Sequence, residues 1–431
     1  MLNILKYQDP NFDQIINRII NSRKSVNDDI KDQVNEIILN VKEKGDSILF
    51  EYMKEYDKVE CNEESICYSE KDIVEAINKC SKESLKALKI AIDRIEKFHL
   101  QQIPAESIYE DDQKVKVKTR WIPLESAGVY IPGGLASYPS SVLMGVIPAK
   151  IAGVKNISAT VPCSNNEIDP LVLAALNLCG VEIIYKIGGA QAIAALAWGT
   201  QSVQKVDIIV GPGNKWVAEA KRQVLGDVQI DMLAGPSEIL IIADKNNRAD
   251  WIAADLLSQA EHDISAQSIL ITDNEDLLKN VNNEISIQLK NLKRAEIISK
   301  SIESNGYGIL VNNINDAAAI ANIIAPEHLS ILCSEKDIIE SEIKNAGVIF
   351  VDEWTPESMG DYIIGPSHIL PTNGMAKNQS GLSIFNFLRR QSTISSNKET
   401  LKELGPSAIT IAECEGLDAH ANSIKLRIKD S

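Results

Sequence analysis

Residues 155–213 decide the fold: KNISATVP (155–162), DPLVLAALNLCG (169–180), VEIIYKIGG (181–189), GAQAIAALAWG (189–199) and KVDIIVGPG (205–213) follow in close succession. The first, third and fifth are short runs rich in β-branched residues; the two between are Leu- and Ala-rich stretches of helical length. Gly and Pro punctuate every junction. That alternation is the signature of βαβ units on a parallel sheet. The rhythm begins near Trp121 and resumes after a second Gly/Pro punctuation, LAGPSE (233–238). There SEILIIAD, a helix from Asp250, QSILITD, a helix around DLLKNVNNEISIQLKNL, YGILV and GVIFVDEW follow in turn. Two α/β blocks in tandem are expected, without a residue-level internal repeat.

Outside these blocks the texture differs. From Asn11 to about Lys118 apolar residues recur at three and four spacing, as in KESLKALKIAIDRIEKFHL, which predicts helices. From about Gly381 the chain reads as a tail of helices and short strands. A length of 431 residues, 44% of them apolar, points to a globular protein of two or more domains. A net charge of -16 opposes a phosphate backbone, so nucleic acid is excluded as a partner and a small molecule is expected. Seven cysteines, at 61, 67, 80, 163, 179, 333 and 414, are scattered and form no CxxC, which suggests neither a disulfide framework nor a thiolate zinc site. The N-terminus lacks a signal-peptide pattern, and no run of about 18 uncharged apolar residues occurs. A cytoplasmic protein with no membrane partner is expected.

Two glycine stretches could bring backbone N–H groups to a phosphate: GVYIPGG (128–134) and GPGN (211–214), the latter opening the helix KWVAEAKRQVL. Neither is GxGxxG, since Trp216 stands where the last glycine would be, and tight strand-to-helix turns explain both equally well. The five histidines say more. Gln259 and His262 share one face at the end of the amphipathic helix ADWIAADLLSQAEHD (249–263). A zinc site built without thiolates uses imidazole and carboxylate, often with several ligands on one helix and others from distant loops. Three turn-rich segments qualify as the distant part: Glu327-His328 after Pro326, Asp361 in PESMGDY, and His420 in EGLDAH. The competing reading is that these are ordinary hydrogen-bonded histidines, and Gln is an unusual zinc ligand. Glu327-His328 also pairs the groups best suited to move protons near neutral pH. His99 reads as structural, and His368 in GPSHILP as a turn residue or a support behind a ligand.

Taken together and in order, these segments resemble the histidinol dehydrogenase family. The resemblance runs from about Ser22 to the C-terminus and is densest between Trp121 and Arg390. Its most specific stretches are GVYIPGGLASYPSSVLMGVIPAKIAGV, GGAQAIAALAWGT, GPGNKWVAEAKRQV, IDMLAGPSEILIIAD, DLLSQAEHD, APEHLSI, PESMGDYIIGPSHILPTNG, SGLSIFNFL and EGLDAHANS. It implies an α/β protein with two incomplete Rossmann-like domains of parallel-rich sheets, an N-terminal helical arm and a small C-terminal helical tail. The implied bounds are 1–25 for the arm, 26–129 with 238–380 for one domain, 130–237 for the other and 381–431 for the tail. It implies a cytoplasmic enzyme that oxidises L-histidinol through L-histidinaldehyde to L-histidine, consuming two NAD per histidinol, with one Zn2+ per subunit.

Carried over by position, the zinc ligands fall on Gln259, His262, Asp361 and His420, and the acid/base pair on Glu327 and His328. The zinc ligands and His328 also face the substrate, joined by Ser237 and Glu415, and Tyr130, Gln191 and Asn214 fall on the NAD contacts. The family's intertwined homodimer implies that Glu415 and His420 serve the partner's active site. Three rivals are weighed against this. A polyol or sulfonated-diol dehydrogenase on the same scaffold would keep the metal and the Glu-His pair, but Glu415 and the EGLDAH spacing argue for histidinol. A zinc hydrolase using Glu327 would need no nicotinamide, and a non-catalytic binding protein would have lost polar groups that are all present.

Overall fold

The computed structural model describes residues 1–22, 28–133, 138–163 and 168–429. Two compact units arise: Met1–Gln101 with Glu125–Phe387, and Gln102–Leu124 with Leu388–Ser431. In chain order the strands begin with β1 (Asn3–Lys6), β2 (Ser107–Glu110), β3 (Lys116–Pro123), β4 (Ser126–Tyr130), β5 (Asn156–Thr160), β6 (Ile183–Tyr185) and β7 (Ile208–Val210). They continue with β8 (Gln229–Ile230), β9 (Glu238–Ile242), β10 (Gln267–Thr272), β11 (Gly306–Leu310), β12 (His328–Ile331), β13 (Val348–Val351) and β14 (Leu388–Ser395).

The first unit holds two parallel sheets, ordered β1-β11-β10-β9-β12-β13 and β6-β5-β4-β7-β8. Setting β1 aside, the two orders are the same. Each block starts in the middle, winds outward to one side, then returns to wind to the other. The reversal lies between β4 and β7 in one sheet and between β9 and β12 in the other, the arrangement of doubly wound α/β proteins. β9 shows why the run SEILII makes such a strand: all five of its residues are buried. Leu240 and Ile242 enter one apolar cluster and Ile239 and Ile241 another, as a period of two across a sheet covered on both faces requires. Each such side chain contributes about 1.5–3 kcal/mol relative to exposure.

The helices fill the layers between. Gly189–Trp198 is apolar nearly all round because it lies between the five-stranded sheet and the Asp28–Lys44 helix, sharing a core with Val34, Ile38 and Val41. No described helix is long and apolar enough to cross a membrane. In the second unit, β14 pairs antiparallel with β3 from Leu388↔Pro123 to Ser395↔Lys116, and β2 pairs with the other edge of β3. The helices Lys398–Cys414 and Asp418–Lys429 follow. Two features depart from the sequence reading. The helical pattern gives way at Ser107, earlier than expected, and Asn3–Lys6 adds an edge strand ahead of the first helix.

Candidate active site

The acid/base pair sits where β12 begins. The Asp316–Ile324 helix ends with Ala325 in the left-handed region (φ 50°), Pro326 follows, and Glu327 and His328 enter the sheet beside β9. Glu238, which opens β9, holds both. Its backbone N–H donates to Glu327 Oε2 at 2.9 Å, and its carbonyl oxygen lies 3.0 Å from His328 Nδ1. A carbonyl only accepts, so Nδ1 carries the proton and Nε2 keeps its lone pair. That nitrogen faces Asp361 Oδ1 at 3.8 Å and Glu357 Oε1 at 3.9 Å. Burial pushes the His328 pKa down to about 4, against the pull of Asp361, so the imidazole is neutral at pH 7. Burial pushes Glu327 and Glu357 well above the usual carboxylate range, and Asp361 adds to both shifts.

Glu357 and Asp361 lie one turn apart on the Glu357–Tyr362 helix, so both carboxylates address the same space. Glu357 is 1% exposed; its Oε2 accepts from Ser258 Oγ at 3.2 Å, while its Oε1 makes no hydrogen bond. Donor atoms of His328, Glu357 and Asp361 all fall within 4.8 Å of one another, close enough to share one metal ion. His368 braces the group from behind: its Nδ1 lies 2.9 Å from the Asp361 carbonyl oxygen and its Nε2 3.4 Å from Ser141 Oγ. Ser141 belongs to the Pro139–Ala152 helix that follows β4. The carboxyl edge of the five-stranded sheet thus meets the amino edge of the six-stranded one.

Gln259 and His262 stand at the C-terminal end of the Ala249–Ala260 helix. Gln259 is fully buried, yet neither Oε1 nor Nε2 has a hydrogen-bond partner. Leaving a buried polar group unpaired costs about 1–3 kcal/mol, so such an amide calls for a ligand. His262 is half-buried and near enough to His328 and His368 to lower the pKa of each. An orphaned amide, clustered carboxylates and imidazoles, and the negative end of a helix dipole together suit a cation. Ser237 lies just before β9, its carbonyl accepting from Gln267 N–H. Glu415 and His420 belong to the second unit, both exposed. The sequence reading missed Glu357 and Glu238. Acidic residues at i and i+4 in PESMGD were a signal for the first; Glu238 acts largely through its backbone and left none.

The positions expected to contact the cofactor lie at the carboxyl edge of the five-stranded sheet. Tyr130 ends β4, Asn214 follows β7, and β4 and β7 flank the reversal in strand order, where doubly wound sheets open a crevice. Gly211 has to be glycine, because a Cβ there would lie 2.1 Å from the Tyr130 carbonyl oxygen. Its N–H donates to Asp231, and its carbonyl accepts from Lys221, two residues whose covered side chains pair with each other. Asn214 caps the Lys215–Val224 helix through its oxygen, which leaves its NH2 for a ligand. Gln191 lies in the first turn of the Gly189–Trp198 helix. Of the other glycine stretch, Gly134 lies outside the described residues.

Two doubly wound sheets, one with the expected cofactor positions at its reversal of strand order and the other with a buried carboxylate–imidazole cluster suited to a metal, define a Rossmann-like α/β enzyme. The model of the family described as histidinol dehydrogenase matches residues 20–428. The histidinol dehydrogenase of Brucella abortus (strain 2308) is 46% identical over 428 residues, covering 99% of this chain and 100% of that protein. The Agrobacterium fabrum enzyme is 48% identical over 417 residues, covering 97% of this chain and 96% of that one. The crystal structure of histidinol dehydrogenase from Elizabethkingia anophelis superposes with a TM-score of 0.94 at 36% identity, covering 100% of this chain and 98% of that one. The chain belongs to the histidinol dehydrogenase family. This is a family of NAD- and zinc-using oxidoreductases of the last steps of histidine biosynthesis.

Proposed function

We propose that this protein oxidises L-histidinol through L-histidinaldehyde to L-histidine in the cytoplasm, as a homodimer that consumes two NAD per histidinol. The observation that carries the reading is the neutral His328, its Nδ1–H held by the Glu238 carbonyl and its Nε2 lone pair facing a set of donors suited to a metal. Nε2 takes the proton from the carbinol hydroxyl as hydride leaves carbon. The aldehyde has no hydroxyl to oxidise and must first be hydrated. Glu327 activates that water; burial makes its carboxylate a stronger base than an exposed one. His328 then takes the proton of the hydrate in the second oxidation.

Gln259, His262 and Asp361 hold the zinc ion, with His420 supplied by the tail of a second subunit. When bound, zinc supplies Lewis-acid attraction for the imidazole and amine nitrogens of histidinol and so orients the carbinol carbon. NAD, lying along Tyr130, Gln191 and Asn214, supplies the hydride acceptor. Ser237 and Glu415 complete the substrate contacts. The exposure of Glu415 and His420 suits residues offered to another chain. The test is NADH stoichiometry with limiting histidinol. Two equivalents are expected; one would reduce the protein to a simple alcohol dehydrogenase, and none would leave the hydrolase reading.

A further inference from the structure

The stretch before Lys118 contains two buried acids, Asp46 and Asp57, that the reaction above does not use. Asp57 closes the short Met53–Asp57 helical turn, is 7% exposed, and lies beside residues far from it in sequence. Its Oδ2 accepts from Gln191 Nε2 at 3.2 Å and from the Gly188 N–H at 3.4 Å. A Cβ on Gly188 would come within 2.8 Å of Asp57 Oδ1 and 2.7 Å of Pro162, so the acid reaches this helix end only because residue 188 has no side chain.

We propose that Asp57 is a positioning residue of the cofactor site, fixing the Gln191 carboxamide so that its oxygen faces NAD and receives a hydrogen-bond donor of the cofactor rather than a phosphate. The inference rests on the assignment of Gln191 to the NAD site. Burial raises the Asp57 pKa and the two bonds donated to it lower it. Since Oδ2 already accepts from the Gly188 N–H, the partner atom of Gln191 is its NH2, which settles an amide orientation otherwise ambiguous. The carbonyl oxygen is left for the ligand, and an oxygen acceptor suits a ribose hydroxyl or an amide or base NH2. The neighbouring Gly189 N–H donates to Tyr130 Oη at 3.2 Å, which leaves the Tyr130 hydroxyl proton free to be donated in turn. Helix N-termini commonly hold phosphates. Here the Gly188 and Gly189 N–H groups are already taken, the first by the Asp57 carboxyl, which disfavours a phosphate.

The experiment compares Asp57→Leu, Gln191→Ala, Gln191→Glu and the double variant Asp57→Asn/Gln191→Glu in the zinc-loaded enzyme, by steady-state kinetics and by equilibrium titration of NAD without histidinol. Asp57→Leu removes the acceptor of the Gln191 NH2, whereas Asp57→Asn alone would keep it through the new carbonyl oxygen, and Gln191→Glu sets carboxylate against carboxylate. Each is expected to raise the Kd and KM for NAD at least tenfold, while kcat stays within about threefold and the histidinol KM and zinc content do not change. In the double variant the NH2 introduced at position 57 donates to the carboxylate introduced at position 191. That restores the bond with its polarity reversed and still offers an oxygen acceptor outward, so the NAD Kd and KM return to within about threefold of the original. An unchanged NAD Kd in Asp57→Leu overturns the proposal, and so does a loss confined to kcat. If Asp57→Leu fails to fold, the double variant decides, because absence of rescue relative to Gln191→Glu overturns it equally. Gln191→Ala separates the two layers: if it leaves the NAD Kd unchanged, the cofactor assignment itself fails. If it raises that Kd and Asp57→Leu does not, only the role of Asp57 fails.

Discussion

Gln259 shows what a residue type hides. Glutamine is a poor candidate for a zinc ligand, and nothing in DLLSQAEHD apart from the family resemblance singles it out. Its signal is positional: full burial, with both amide atoms unpaired. A site tuned for a ligand is a site under strain without one, so Gln259→Met is expected to act in opposite directions on two measurements. Removing the unpaired amide should stabilise the zinc-free protein by about 1–3 kcal/mol, read as a raised melting temperature. The same change should weaken zinc retention at least tenfold against a chelator. A variant that keeps its zinc, or whose zinc-free form melts lower, would remove Gln259 from the metal site. At Glu327 the expected outcome is kinetic. Glu327→Gln should keep a burst of one NADH per site while steady formation of histidine falls about 10²–10⁴-fold; loss of the burst would place Glu327 in the first oxidation instead.

At the scale of elements, β5, β6, β7, β9, β10, β11 and β13 were legible because each lies in a short β-branched run, mostly set off by Gly or Pro; β1, β8 and β12 were not. Nor were β2, β3 and β14. Their residues are mostly exposed or half-buried, and the partners Arg120 and Gln391 lie 271 positions apart, so no local pattern records the pairing. The Ala249–Ala260 helix carries a further element-level consequence, the half-buried Asp255 behind Glu357. Burial raises its pKa from 3.8 to about 6. The folded chain therefore binds this proton more tightly than the unfolded chain does. Its contribution to stability is full below pH 3.8, is lost as pH rises through about 6, and stays lost above. Asp255→Asn should thus stabilise the zinc-free protein by roughly 1–2 kcal/mol at pH 8 and leave it unchanged near pH 4. Equal melting shifts at both pH values would show that Asp255 is not held in this way.

Across the first unit, the two sheets share one winding order but are used at opposite edges. The expected cofactor contacts gather at the carboxyl edge of the five-stranded sheet, where helices begin and present the positive ends of their dipoles. The metal-competent cluster gathers at the amino edge of the six-stranded sheet, where the Ala249–Ala260 helix ends and carbonyls point outward. The helix dipoles at the two edges thus have opposite signs, and the negative one suits a cation. The sequence made both sheets readable, but not the edge each would use, because that depends on how the two pack. The proposed exchange of tails gives a test at this scale. Mixing Glu327→Gln chains with His420→Ala chains should restore activity through one intact site per hybrid dimer, and verified subunit exchange without recovery would exclude a shared site.

The pairing of β1 with β11 matters before the protein is complete. Asn3 lies opposite Tyr307, and among the described strands β11 is the only neighbour β1 has in its sheet. At about 5–20 residues per second, the ribosome takes roughly 15–60 s to make the chain between them. The five-stranded sheet, by contrast, draws all its strands from Ser126–Ile230 and is available while translation continues. β1 is therefore obliged to wait, and takes its place in the sheet only once β11 has been made.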